Sequence, residues 1–158
     1  MIEVVREKVA GLGDELIVIT NNPTPYDYLN LPLYSDLYAD HGPLAGIFTA
    51  LSAASYAHVL VIACDMPLLN EPLLQYLVSL KDTADVVVPR WDRFPEPLHA
   101  VYSKACLPAI EPYLKTRKLK ITGFYADVTV RYVENEEIKR FDPQGRSFTN
   151  VNRPEDLI

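Results

Sequence analysis

Only two cysteines, Cys64 and Cys106, occur in 158 residues, far apart and each among apolar neighbours. That leaves no material for a disulfide framework or a cysteine metal quartet, and it sets a reducing, cytoplasmic compartment as the expectation. Long apolar runs are missing as well. Nothing approaches the roughly 18 consecutive apolar residues of a spanning helix, and the opening "MIEVVREKVAGLGDELIVIT" carries charges throughout. Neither membrane insertion nor secretion is expected. A basic excess is lacking too: 15 Lys and Arg stand against 21 Asp and Glu, giving a formal charge of -6 and a pI near 5.0. Such a balance argues against binding a nucleic-acid backbone. It does not argue against a mononucleotide, which needs only a local set of cations, amides and a divalent metal.

Several familiar loops are absent. "GLGDEL" has two glycines of a dinucleotide loop but Leu16 where the third belongs, and it precedes a strand when it should follow one. It reads as a helix terminator. The chain has no Walker lysine loop and no nucleophile elbow, and His41, His58 and His99 have no partners at metal-ligand spacing. His58 and His99 read as ordinary strand residues.

What is present is an alternation of short apolar runs with helical patterns. Ile2, Val5 and Val9 share one face of a helix that Gly11 and Gly13 close. "ELIVIT" and "HVLVIAC" read as buried strands, "LPLYSD" as a short one, and "GPLAGIFTALSAASYA" between them as a helix with Pro43 in its first turn. "NEPLLQYLVSL" is a helix capped by Asn70. "ADVVVPR", "PLHAVY" and "VTVRYVE" follow as strands, "LPAIEPYLKT" as a helix that Pro112 breaks, and "KLKITGFYA" as a short helix. "FTNVNRPEDLI" leads into a helix start at Pro154. The pattern predicts one α/β domain over residues 1–158, with three α/β/α layers around a mostly parallel sheet and ligands beyond the carboxyl ends of its strands.

Four stretches carry candidate chemistry. "CDMP" puts Asp65 at the carboxyl end of a strand, where it either caps the next helix or binds Mg²⁺, a hard cation that takes one or two carboxylates with phosphate oxygens and water. "DHGPLAGI" brackets Pro43, Leu44 and Ala45 with Gly42 and Gly46 at a helix entrance, so that backbone can approach a ligand and free amides can meet an acceptor. "TRKLKI" gathers Arg117, Lys118 and Lys120 in an otherwise acidic chain. "FTNVNRPEDL" spaces Asn150 and Asn152 so that both amides can face one side.

In this order, "NNP", Asp36, "GPLAGI", "CDMPLL", "PEPLHAVY" and "NVNRPEDL" resemble the molybdenum cofactor guanylyltransferase family, within the larger group of nucleotidyltransferases. The likeness covers nearly the whole chain. It implies a Rossmann-like α/β/α protein that attaches GMP from GTP to the molybdopterin phosphate, with Mg²⁺ as cofactor and release of pyrophosphate. Molybdenum-cofactor biosynthesis or delivery proteins are the implied partners. By position, Asp65 looks like the Mg²⁺ ligand. Gly42, Pro43, Leu44, Ala45 and Gly46 resemble the lining of the guanine pocket, with Asp36 and Asn22 as the acid and amide around the nucleotide. Asn150 and Asn152 match the pterin-facing side, and Lys120 falls where the family often has Arg, a cation for the pterin phosphate. One departure is large. The family opens with a buried strand and a loop of the form LAGGxSxRMGxDK, and neither is in this sequence. The resemblance thus implies an N-terminally truncated domain whose neighbouring strands expose apolar edges. A noncatalytic nucleotide- or pterin-binding fragment, and a cytidylyl or sugar-phosphate nucleotidyltransferase, are the alternative readings.

Overall fold

A computed structural model describes residues 1–157. The apolar runs become strands at His58–Ile62 (β3), Val86–Trp91 (β4), His99–Ser103 (β6) and Val130–Val133 (β7), hydrogen-bonded in the order β3-β6-β4 with β7 on the far side of β4. Phe94–Pro95 (β5) closes a hairpin on the end of β4. Side chains alternate across the sheet as strand geometry demands. Val86, Val88, Ala100 and Tyr102 join one apolar cluster with the helices Gly42–Ala53 (α2) and Leu107–Lys115 (α4). Val87 and Val101 join the opposite cluster with Leu73, Leu74 and Leu77 of Glu71–Ser79 (α3) and Val5 of Ile2–Val9 (α1). The three layers predicted from sequence are thus present.

The direction of the strands is not as predicted. Instead of a mostly parallel sheet, β6 runs antiparallel to both β3 and β4, and only β7 lies parallel to β4. The cause is the connection. No helix separates "ADVVVPR" from "PLHAVY": the chain turns back at Asp92 and Arg93, and a strand entered from a tight hairpin can only run antiparallel. Glu96–Leu98 then bulges out between β5 and β6, where the Leu98 carbonyl accepts from Ala63 N–H (3.0 Å) and the Pro89 carbonyl accepts from Glu96 N–H (2.9 Å). Because β3 and β4 are each antiparallel to β6, they share one direction, and their carboxyl ends open on the same edge.

"ELIVIT" contributes only Val18–Ile19 (β1), paired in parallel with Leu33–Tyr34 (β2). Among the described residues no pairing joins this ladder to the main sheet, although α2 packs against β1, β2 and β3 alike. Ala63 N–H and the Ala57 carbonyl both bond towards β6, so alternation leaves the peptide groups of His58, Leu60 and Ile62 on the opposite, unpaired edge. This open edge explains why β3, predicted as buried, is half-buried along its whole length.

Local signals behave as expected with two exceptions. Asn70 caps α3, its Oδ1 accepting from Leu73 N–H at 2.9 Å. Pro112, expected to break α4, sits inside it. Proline removes one bond, to the Pro108 carbonyl, and on this exposed face water can replace it. The helix Asn135–Ile138 (α5) was not anticipated; a reciprocal capping box between Glu134 and Glu137 forms it.

His99 is fully buried, its two ring nitrogens lack partners among the described residues, and burial lowers its pKa to about 4 despite the opposing pull of Asp142. The folded-state value lies below the ordinary 6.5, so the unfolded chain binds the proton more tightly, and stability falls as pH drops from about 6.5 to 4. The full effect is about 3 kcal/mol. Urea unfolding at pH 7 and pH 4.5 should show a smaller loss of stability for His99→Phe than for the parent, because that variant has no such proton to take up.

Candidate active site

The carboxyl ends of β3, β4 and β7 meet at one edge, together with the start of β6 and the N-terminus of α2. Asp65 lies there, and the structure answers whether it is a cap. It lies five positions before Asn70, which caps α3 itself. Among the described residues the Asp65 carboxylate has no hydrogen bond or ion pair, while buried Met66 and Pro67 pin the turn behind it. Its backbone carbonyl accepts from Val151 N–H at 2.7 Å. That bond ties the acid to the "NVN" segment: Val151 is buried, and Asn150 and Asn152 stand exposed on either side of it. The structure therefore brings Asp65, Asn150 and Asn152 together.

A second group forms around α2. Asn21 and Asp36 exchange two hydrogen bonds, Asn21 Nδ2 to Asp36 Oδ2 (3.0 Å) and Asp36 N–H to Asn21 Oδ1 (2.9 Å). The other oxygen, Asp36 Oδ1, is buried without a partner, and a Cβ placed on Gly46 would sit 3.8 Å from it. Leu37 N–H is held by Thr49 Oγ1 (2.9 Å), which fixes this loop to α2. Gly42 has φ +66, a left-handed conformation that glycine adopts without strain, and Pro43 follows it in the first turn. Leu44 and Ala45 point into the core, so a ligand here meets the backbone of this segment and the Gly46 surface. Asn22 is exposed, its N–H donating to Thr20 Oγ1 at 3.2 Å. Asn21, which contacts Asp36, has no feature in "NNP" to single it out from its neighbour.

Arg117, one of the basic cluster in "TRKLKI", bridges α4 to the entrance of α2. Its Nη2 donates to the Asp40 carbonyl (3.1 Å), and Nη1 lies 3.4 Å from His41 Nε2. Lys120 is exposed three residues later, on the same connection out of α4, without a partner among the described residues. Glu96, in the bulge beside Ala63, is half-buried, and burial raises its carboxyl pKa.

These two groups share the edge: one offers an acceptor and helix amides, the other a free carboxylate and paired amides. No three potential metal ligands cluster among the described residues. A lone free carboxylate suits an ion whose remaining ligands are phosphate oxygens and water, and does not suit a closed protein cage. Residues 1–129 match the family described as MobA-like NTP transferase domain. The chain belongs to that family.

Relatives match along nearly the whole of this chain. A probable molybdenum cofactor guanylyltransferase from Pelotomaculum thermopropionicum is 40% identical, covering 100% of this chain and 81% of its own length. A molybdenum cofactor guanylyltransferase from Desulfosudis oleivorans is 34% identical over 99% of this chain and 78% of its own. The crystal structure of molybdopterin-guanine dinucleotide biosynthesis protein A from Archaeoglobus fulgidus superposes with a TM-score of 0.82 at 28% identity, covering 99% of this chain and 80% of that one. The MobA-like chain is accordingly a nucleotidyltransferase by class, and no helix among its described residues is long and apolar enough to cross a membrane.

Proposed function

We propose that this MobA-like chain transfers GMP from GTP to the phosphate of molybdopterin and releases pyrophosphate. The observation that carries the reading is the buried, unpartnered Asp36 Oδ1 beside Gly46. A lone acceptor in that position matches the N1–H and exocyclic amine of guanine. The names of the relatives, guanylyltransferases at 34% and 40% identity, support the same base and acceptor.

Each group then has a task. Asp36 receives the guanine edge while Asn21 holds the carboxylate in place, and Asn22 and the Gly42–Gly46 backbone line the nucleotide. Asn150 and Asn152 orient the pterin acceptor, kept beside Asp65 by the Val151 bond. Lys120 supplies positive charge for the acceptor phosphate as it approaches the α-phosphorus of GTP from the side opposite pyrophosphate. Mg²⁺, held by Asp65 with phosphate oxygens and water, would neutralise charge developing on the transferring phosphoryl group. The same reading makes residues 1–158 one cytoplasmic unit that passes its product to molybdenum-cofactor biosynthesis or delivery proteins.

The purified chain tests this directly. Given molybdopterin and Mg²⁺, it should release pyrophosphate from GTP at least about a hundredfold faster, by kcat/KM, than from CTP, because a site built on one hydrogen-bonded edge discriminates strongly. Equal rates would point to a cytidylyl or less selective enzyme. Calorimetric GTP binding without pyrophosphate release would point to a noncatalytic binding protein.

A further inference from the structure

The chain leaves α4 through a Schellman turn, in which Lys118 N–H donates to the Tyr113 carbonyl (2.9 Å) and Arg117 N–H to the Leu114 carbonyl (3.2 Å). The left-handed position of such a turn ordinarily holds glycine, and here it holds Arg117, at φ 53. A second residue with a side chain in the same strained region, Asp40 at φ 59, stands two positions before Gly42 at the entrance of α2. The two strained residues meet. Arg117 Nη2 donates to the Asp40 carbonyl across 77 positions of sequence. A glycine would close the turn with less strain and make no such contact.

That contact falls where the loop of residues 36–42 is otherwise loose. Its start is well held: Asp36 exchanges two bonds with Asn21, Leu37 N–H is fixed by Thr49, and Tyr38 donates to Glu111 Oε1 of α4 (3.0 Å) while its ring meets that of Phe48 edge-on, with 5.6 Å between centres. Beyond Tyr38, His41 Nδ1–H donates to the Ala39 carbonyl (2.6 Å), which leaves Nε2 of the neutral ring as an acceptor, and Arg117 Nη1 lies 3.4 Å from it. Among the described residues, Arg117 is the only side chain from another element that hydrogen-bonds to residues 39–41. A loop with a left-handed aspartate has a more relaxed path open to it, and the arginine holds it off that path.

We propose that Arg117 is a positioning residue for the nucleotide, an inference that rests on the guanylyl-transfer reading. Asp36, which receives the guanine edge, lies at one end of the loop, and the Gly42–Gly46 backbone that lines the nucleotide lies at the other. The spacing between them is set by the path of residues 37–41. Arg117 fixes that path from α4 without touching the ligand, so it acts on GTP affinity and not on the chemical step.

Steady-state kinetics with GTP and molybdopterin, thermal unfolding, and hydrogen exchange of the ligand-free chain test this together. Arg117→Gly supplies the residue the turn ordinarily has, so its thermal midpoint should equal or exceed the parent's. Its KM for GTP should nevertheless rise about fivefold, with kcat and the KM for molybdopterin unchanged, and the amides of residues 39–42 should exchange about fivefold faster. Arg117→Lys keeps a donor for the Asp40 carbonyl and should bring the KM for GTP back to within about twofold of the parent. A lowered thermal midpoint with both KM values rising together would make Arg117 a support of the fold and overturn the assignment. An unchanged KM for GTP in Arg117→Gly, in a parent that turns over, also overturns it and leaves the guanylyl-transfer reading standing. If the parent does not turn over, that reading fails, and the latch is judged by exchange alone: equal rates at residues 39–42 in parent and Arg117→Gly overturn it.

Discussion

Asp65→Asn is expected to lower guanylyl transfer by about a thousandfold or more and to leave the urea unfolding midpoint unchanged. The substitution keeps the shape of the side chain and removes its charge. Because the carboxylate has no protein partner among the described residues, nothing in the fold depends on that charge. The bond that docks Val151 uses the Asp65 backbone carbonyl and survives. Stabilising charge on a transferring phosphoryl group through a carboxylate-held divalent ion contributes several kcal/mol to the transition state, and each 1.36 kcal/mol is a factor of ten in rate. Three such factors are therefore a modest expectation. Pyrophosphate release measured over a range of Mg²⁺ concentrations is the check. Weak activity that partly recovers at high Mg²⁺ fits a lost ligand, whereas a rate within tenfold of the parent would remove Asp65 from the mechanism.

How far such a site can be read from letters depends on the range of the interaction involved. The place of Asp65 at the carboxyl edge of the sheet was legible because a run of apolar residues with a single acid at its end combines with a general rule about where α/β sheets bind ligands. Asn70 was legible for the same reason: a cap acts on its own helix. Strand direction was harder, since "ADVVVPR" and "PLHAVY" look alike whichever way they run, and only the missing helix between them signals a hairpin. Asp92 and Arg93 concealed that hairpin further, because arginine stands where the turn ordinarily has glycine. Asn21 and Arg117 were the least accessible. Each acts on a residue distant in sequence, Asn21 on Asp36 and Arg117 on Asp40, and neither pairing leaves a periodic trace. The half-burial of β3 likewise follows from what does or does not lie beside it, not from its own composition.

Asp36→Asn should reverse the usual link between stability and function. In the parent, Asp36 Oδ2 accepts from Asn21 Nδ2, and Oδ1 faces the Gly46 side with no partner. An asparagine has one oxygen and one amide nitrogen. Asn21 Nδ2 is a donor, so the new oxygen must turn towards it, and the new NH₂ then occupies the position of Oδ1. The pocket presents a donor where it formerly presented an acceptor. On the proposed reading guanine brings two donors to that point, N1–H and the exocyclic amine, and meets another donor, whereas adenine would bring N1, an acceptor. Sites whose hydrogen bonding is mismatched to a substrate edge discriminate by up to about 10⁴-fold, so kcat/KM for GTP should fall by about a thousandfold or more and its advantage over ATP should collapse. The free protein should respond in the opposite direction, because a carboxylate with a buried, unpaired oxygen has been replaced by a neutral group. Parallel GTP and ATP kinetics with thermal unfolding would separate this account from simple damage: a destabilised variant losing both nucleotides equally would mean that Asp36 supports the loop, whereas an unimpaired fold that has lost its preference for guanine would identify the unpartnered oxygen as the group that reads the base.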